Sequence, residues 1–115
     1  MINSLHLGAK MTPSEALEAI RRRFNELGID RRDLNVELGG ECYRMTLNSD
    51  CFVVYRINRC KGHKHHVPGW PVCLVTREAI FEECSDLNPR TDHCACGITI
   101  DQWLEIAAKS CQNPL

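Results

Sequence analysis

Leu17, Ile20, Phe24 and Leu27 recur at the three-and-four spacing that gathers side chains on one face of a helix. Thr12-Pro13-Ser14-Glu15 stands just ahead of them. A hydroxyl at the cap, a proline in the first helical position and a glutamate at the third satisfy backbone donors that a helix start leaves open. Gly28 ends the stripe, because it takes a left-handed conformation without steric cost. The polar side carries Glu18, Arg21, Arg22 and Glu26, and the Glu18-to-Arg22 spacing predicts a helical ion pair.

The period then changes to two. Leu34-Asn35-Val36-Glu37-Leu38 alternates as a half-buried strand does, and Gly39-Gly40 is a tight hairpin signal. Glu41 to Leu47 reads as the partner strand, with Tyr43, Met45 and Leu47 on one face. Asn48-Ser49-Asp50 turns the chain, and Cys51 to Ile57 reads as a third strand rich in β-branched and aromatic residues. Either Cys51, Val53, Tyr55 and Ile57 or Phe52 and Val54 can face the core, and the pattern leaves both open.

Residues 58–71 contain Gly62, Pro68, Gly69 and Pro71 and read as a long loop. Val72 to Val75 reads as a short fourth strand. Thr76 is expected to cap a second helix over Arg77 to Leu87, with Ile80, Cys84 and Leu87 inward. A second irregular stretch, 88–97, precedes another capping box, Thr99-Ile100-Asp101-Gln102. Ile98 and Trp103 stand where a hydrophobic staple requires them, and Ile100, Leu104, Ala107 and Cys111 form the last apolar stripe. The predicted order is α-β-β-β-β-α-α. It describes one α+β domain over 12–115, an antiparallel meander packed against helices, after a loose lead-in at 1–11.

Composition adds bounds. A chain of 115 residues with 43% apolar and 25% charged residues has the length and make-up of one folded domain. Its net charge of −1 makes no global demand for nucleic acid or an anionic membrane, although residues 1–70 hold 11 Lys/Arg against 8 Asp/Glu and residues 71–115 hold 3 against 7. No run approaches the roughly 20 apolar residues that span a bilayer, so no membrane partner is expected. Met1 to His6 lacks the basic-then-apolar form of a secretion leader, and a cytoplasmic, reducing setting is therefore expected. In that setting the 8 cysteines are metal ligands or packed thiols rather than a disulfide framework.

Seven metal-competent residues fall in the two irregular stretches: Cys60, His63, His65 and His66 in one, and His93, Cys94 and Cys96 in the other. Zinc takes four nitrogen or sulfur ligands in a tetrahedron, and Cys60-x-x-His63 has the spacing of half such a site. Drawn from Cys60, His63, His65, His93, Cys94 and Cys96, four ligands suffice for a structural Zn²⁺ clasp. The competing reading is a solvated basic loop with free thiols. Cys94-Ala95-Cys96 is one residue shorter than the usual redox dithiol. Cys73, Cys84 and Cys111 lie on apolar faces and read as core, while Cys42 and Cys51 lie on adjacent strands, which leaves an approach between them open.

Residues 56–66 carry four formal positive charges and no acid, with Trp70 close behind. Arg56, Arg59, Lys64 and Trp70 are the residues expected to meet a partner. The chain has no glycine-rich phosphate loop, no nucleophile elbow and no His-Glu-x-x-His. These features predict a non-catalytic binding module, a small adaptor or inhibitor working through protein contacts. Two alternatives stand beside it: a nucleic-acid-binding protein using loop 56–70, and a metal-dependent hydrolase or nuclease using the histidine cluster.

Overall fold

The capping signal at Thr12 operates as read. In helix α1, Pro13–Glu26, the Thr12 hydroxyl accepts from the Glu15 amide at 3.1 Å and the Thr12 amide donates to the Glu15 carboxylate at 2.9 Å. At the other end Gly28 has φ 73°, which lets the Ile29 amide reach back to the Phe24 carbonyl at 3.0 Å. Glu18 does not pair with Arg22. It pairs with Arg21 at 3.6 Å and with Arg77 at 3.2 Å, while Arg22 stays exposed.

This computed structural model describes residues 11–58, 68–82 and 98–112. Five strands follow α1: β1 Asp33–Leu38, β2 Glu41–Leu47, β3 Cys51–Arg56, β4 Pro71–Thr76 and β5 Ile80–Glu82. Helix α2, Ile100–Gln112, closes the described chain. The strands form one antiparallel sheet in the order β1-β2-β3-β4-β5, so each pairs with its chain neighbour. Gly39 and Gly40, at φ 62° and 81°, make the tight turn between β1 and β2 that positive φ at both positions requires. The α+β class and the antiparallel meander are those the sequence predicts.

The helix expected from Arg77 is not helical in its described part. Thr76 does accept from the Glu78 and Ala79 amides, at 3.1 and 3.0 Å, as a helix cap would. The Thr76 amide, however, donates to the Ala79 carbonyl at 2.9 Å, and the chain doubles back into β5. The same side-chain chemistry closes a turn as readily as it opens a helix. Arg77 fixes that turn, donating to Ser14 Oγ, Glu18 Oε2 and the Ser49 carbonyl at 3.2, 3.2 and 3.0 Å. Residues 83–87 of the expected helix lie outside the described residues.

One face of the sheet is the floor of the core. Leu34, Met45, Val54 and Cys73 form one row across it, and Leu47, Phe52, Val75 and Ile80 another. The choice left open for β3 falls to Phe52 and Val54, which are fully buried. Helix α1 covers β3 and β4, and α2 lies against β1. Phe24 meets Phe52 edge-on at 6.1 Å between ring centroids, and Trp103 meets Tyr43 at 5.1 Å. The second capping box holds too: the Thr99 amide donates to Gln102 Oε1 at 2.8 Å, and the Gln102 amide donates to the Thr99 hydroxyl at 3.2 Å.

Cys42 and Cys51 do not come together. Cys42 stands beside Ile57, whose amide donates to its carbonyl at 2.9 Å, whereas Cys51 lies across the turn from Asn48, accepting that amide at 2.9 Å. The two cysteines occupy opposite ends of the β2–β3 hairpin, about 20 Å apart at the usual strand rise.

Candidate functional site

The register carries three rows from β1 across the outer face of the sheet, the face away from the helices, and a shorter fourth that pairs Cys51 with Thr76. The first runs Asp33, Thr46, Val53, Leu74, Phe81. The second runs Asn35, Arg44, Tyr55, Pro71. The third runs Glu37, Cys42, Ile57. Each of these three starts polar at β1 and ends apolar toward β3–β5. A side chain on a solvated sheet face is expected to be polar. Here half the face is not.

Its polar half is closed on itself. Arg44 Nε meets Asp33 Oδ1 at 2.8 Å, the Thr46 hydroxyl donates to the same oxygen at 3.2 Å, and Arg44 Nη1 donates to Asn35 Oδ1 at 3.2 Å. The hydrogen bond from Arg44, reinforced by its charge, holds the Asp33 carboxyl below the usual carboxylate range; Asp33 in turn raises Arg44. The apolar half has no such closure. Phe81 is 42% exposed and Ile57 40%. Val53, Tyr55 and Leu74 are half-buried between them.

The residues that the sequence singles out divide sharply. Trp70 is on the surface at the end of the sheet just before β4, and its carbonyl accepts from the Arg56 amide at 3.2 Å. Arg56 itself is drawn inside. It follows Phe52 and Val54 on the inner face of β3, stands opposite Tyr43 and is 1% exposed, so its guanidinium is not offered to a phosphate or a protein surface. The alternation held the signal for this: once Phe52 and Val54 face inward, so must Arg56. Sequence reasoning also missed Glu41, which shares the inner face of β2 with Tyr43 and is buried; the Tyr43 hydroxyl donates to its Oε1 at 3.2 Å. Glu41 and Arg56 thus place a carboxylate and a guanidinium under the same end of the sheet, as burial of charge demands.

Cys60, His63, His65, His66, His93, Cys94 and Cys96 lie outside the described residues, as do Arg59 and Lys64. The described residues flanking those stretches have a common location. Asn58 follows β3, Pro68 precedes β4, Glu82 ends β5, and Ile98 precedes α2 and lines a cavity with Leu38 at the end of β1. In an antiparallel meander these points all fall at one end of the sheet. Among the described residues, no three His, Cys, Asp or Glu side chains gather to hold a metal, and no helix is long and apolar enough to cross a membrane. Cys73, buried under β4, has its thiol pushed up by burial and then by the charge of Glu82. The chain matches no protein-family model, no curated protein and no solved structure.

Proposed function

We propose that the protein is a non-catalytic binding module, a small adaptor or inhibitor, that holds another protein against the apolar half of its outer sheet face. The observation that carries this reading is the exposure of Phe81 and Ile57 around the half-buried Val53, Tyr55 and Leu74, with Trp70 exposed at the end of the sheet where β4 begins. Aromatic residues are enriched in protein interfaces, where a large rigid ring excludes water at small entropic cost. A protein partner fits better than nucleic acid. Arg44 is occupied by Asp33, Arg56 is buried, and the outer rows from β3 to β5 contain no other cation. Since both Cys/His stretches depart from and return to one end of the sheet, a zinc clasp there would brace the end that carries Trp70.

The test replaces Phe81, in the full-length chain, with a photo-crosslinking phenylalanine and compares it with the same replacement at exposed Glu26 on α1. Position 81 is expected to yield an adduct with one protein species that position 26 does not. With that species purified, Trp70→Ala is expected to weaken binding about tenfold or more while leaving the melting temperature near its original value. Equal labelling from both positions, or unchanged affinity in Trp70→Ala, would overturn the reading.

A further inference from the structure

The opposite side of the sheet ends in an open strand. β1 is an edge, paired only with β2 among the described residues. The Leu47 amide donates to the Arg32 carbonyl at 2.8 Å, which fixes the phase of the ladder: Leu34, Val36 and Leu38 exchange hydrogen bonds with β2. Asp33, Asn35 and Glu37 therefore direct their amides and carbonyls away from β2, and no described backbone group meets them.

Beside this edge lie two cavities of about 330 and 300 Å³, between the end of β1 and the flank of α2. Leu38, Ile98 and Ile106 supply their apolar surface. Glu37, Glu105 and Lys109 stand around them, all exposed, two acids to one base.

We propose that this edge and groove bind an extended peptide by strand addition, and that the peptide alternates apolar residues with lysine or arginine. The backbone of the incoming strand satisfies the outward groups of Asp33, Asn35 and Glu37, which nothing but a strand can do in series. Its side chain opposite Val36 shares the inner face and meets Ile106 and the groove. Its side chain opposite Glu37 shares the outer face, where an opposite charge forms a favourable cross-strand pair. Glu105 adds to the preference for a basic peptide. The proposal stands apart from the apolar half, which lies toward the other edge of the sheet.

The experiment uses the full-length protein and labelled peptides of about eight residues, the length of an ordinary strand. One alternates lysine with valine, one alternates glutamate with valine, and one is the lysine peptide with central prolines. The lysine peptide is expected to bind, and the other two to bind about tenfold more weakly or worse, as like charge and a broken ladder require. Amide exchange at Asn35 and Glu37 should slow when the lysine peptide is added. Asn35→Pro removes an outward amide and the side-chain acceptor of Arg44 but no backbone bond to β2, and should abolish that binding with β1 still paired to β2, whereas Glu37→Lys should shift preference to the glutamate peptide. Failure of all three peptides to bind, or binding that survives both the prolines and Asn35→Pro, would overturn strand addition. Slow exchange at Asn35 and Glu37 in the protein alone would overturn it too, since the edge would then be filled by the chain itself.

Discussion

On β1 and β2 the outward side chains are Asp33, Asn35, Glu37, Cys42, Arg44 and Thr46; on β3 to β5 they are Cys51, Val53, Tyr55, Pro71, Leu74, Thr76 and Phe81. The two halves sit on one continuous sheet over one continuous core, so the need for a core does not explain the difference. Strand propensity explains part of it. Val53 and Tyr55 are good strand formers whatever they face. It does not explain Phe81, exposed on a three-residue edge strand, or Trp70, exposed beside a turn. An edge strand is usually protected by charge or by shortness. β5 is short, yet its outward residue is aromatic. In the polar half Arg44 ties Asp33 and Asn35 together, whereas the apolar half leaves its largest rings in water.

The widest separation between inner and outer surfaces should appear in a pair of phenylalanines. Phe52 is fully buried on the inner face and meets Phe24, so Phe52→Ala should destabilise the fold by about 3–5 kcal/mol. Phe81→Ser, on the outer face of the same sheet, should change stability by no more than about 0.5 kcal/mol. Urea unfolding of both variants measures this directly. A loss of about 2 kcal/mol or more in Phe81→Ser would mean that the apolar half is a second core covered within the chain, and its role as a contact surface would fall.

Much of this contrast was legible in the sequence and some was not. The capping residues Thr12 and Glu15, the Gly39-Gly40 turn and the alternation of β1 and β2 are local signals, and local hydrogen bonding honours them. The facing of β3 was not readable, because CFVVYR is apolar on both sides of the strand. Once the tertiary fold chooses Phe52 and Val54, it also buries Arg56, which had read as the head of a cationic loop. Thr76 misled for a related reason. Its hydroxyl binds two amides in a turn as it would at a helix start, and only the pairing of Ile80–Glu82 with β4 decides which. Glu41 was hidden because an acidic residue is assumed solvated until its strand-mates are seen to be buried.

The cysteines divide along the same lines. Cys42 is exposed on the polar half, and Cys73 is buried beneath the apolar half with its thiol pushed up. The thiolate is the reactive form, so iodoacetamide on the native protein should label Cys42 early and Cys73 only as the chain unfolds. Peptide mass spectrometry over time reads the order. Rapid labelling of Cys73 would mean that the sheet opens easily under β4. The same digest tests the zinc clasp. Should Cys60, Cys94 and Cys96 hold zinc, their labelling should rise when a chelator is added and that of Cys42 should not.

The smallest effect belongs to the polar half. The folded protein holds the Asp33 carboxyl below its ordinary value, chiefly through the hydrogen bond from Arg44. A depressed carboxyl contributes stability above its unfolded value, which lies near 3.8, and that contribution is lost as pH falls through the folded value. Both side chains are largely open to water, 53% exposed for Asp33 and 38% for Arg44, so screening keeps the contribution small. Asp33→Asn should therefore be slightly less stable than the parent at neutral pH and low salt, and the gap should narrow with added salt and close in strong acid. Urea unfolding at both extremes of pH measures it. A gap that persists in acid would mean that Asp33 acts through packing or through its bond to Thr46 rather than through charge. The polar half would then be held by shape, as the apolar half is, and the contrast between them would lie in their surfaces alone.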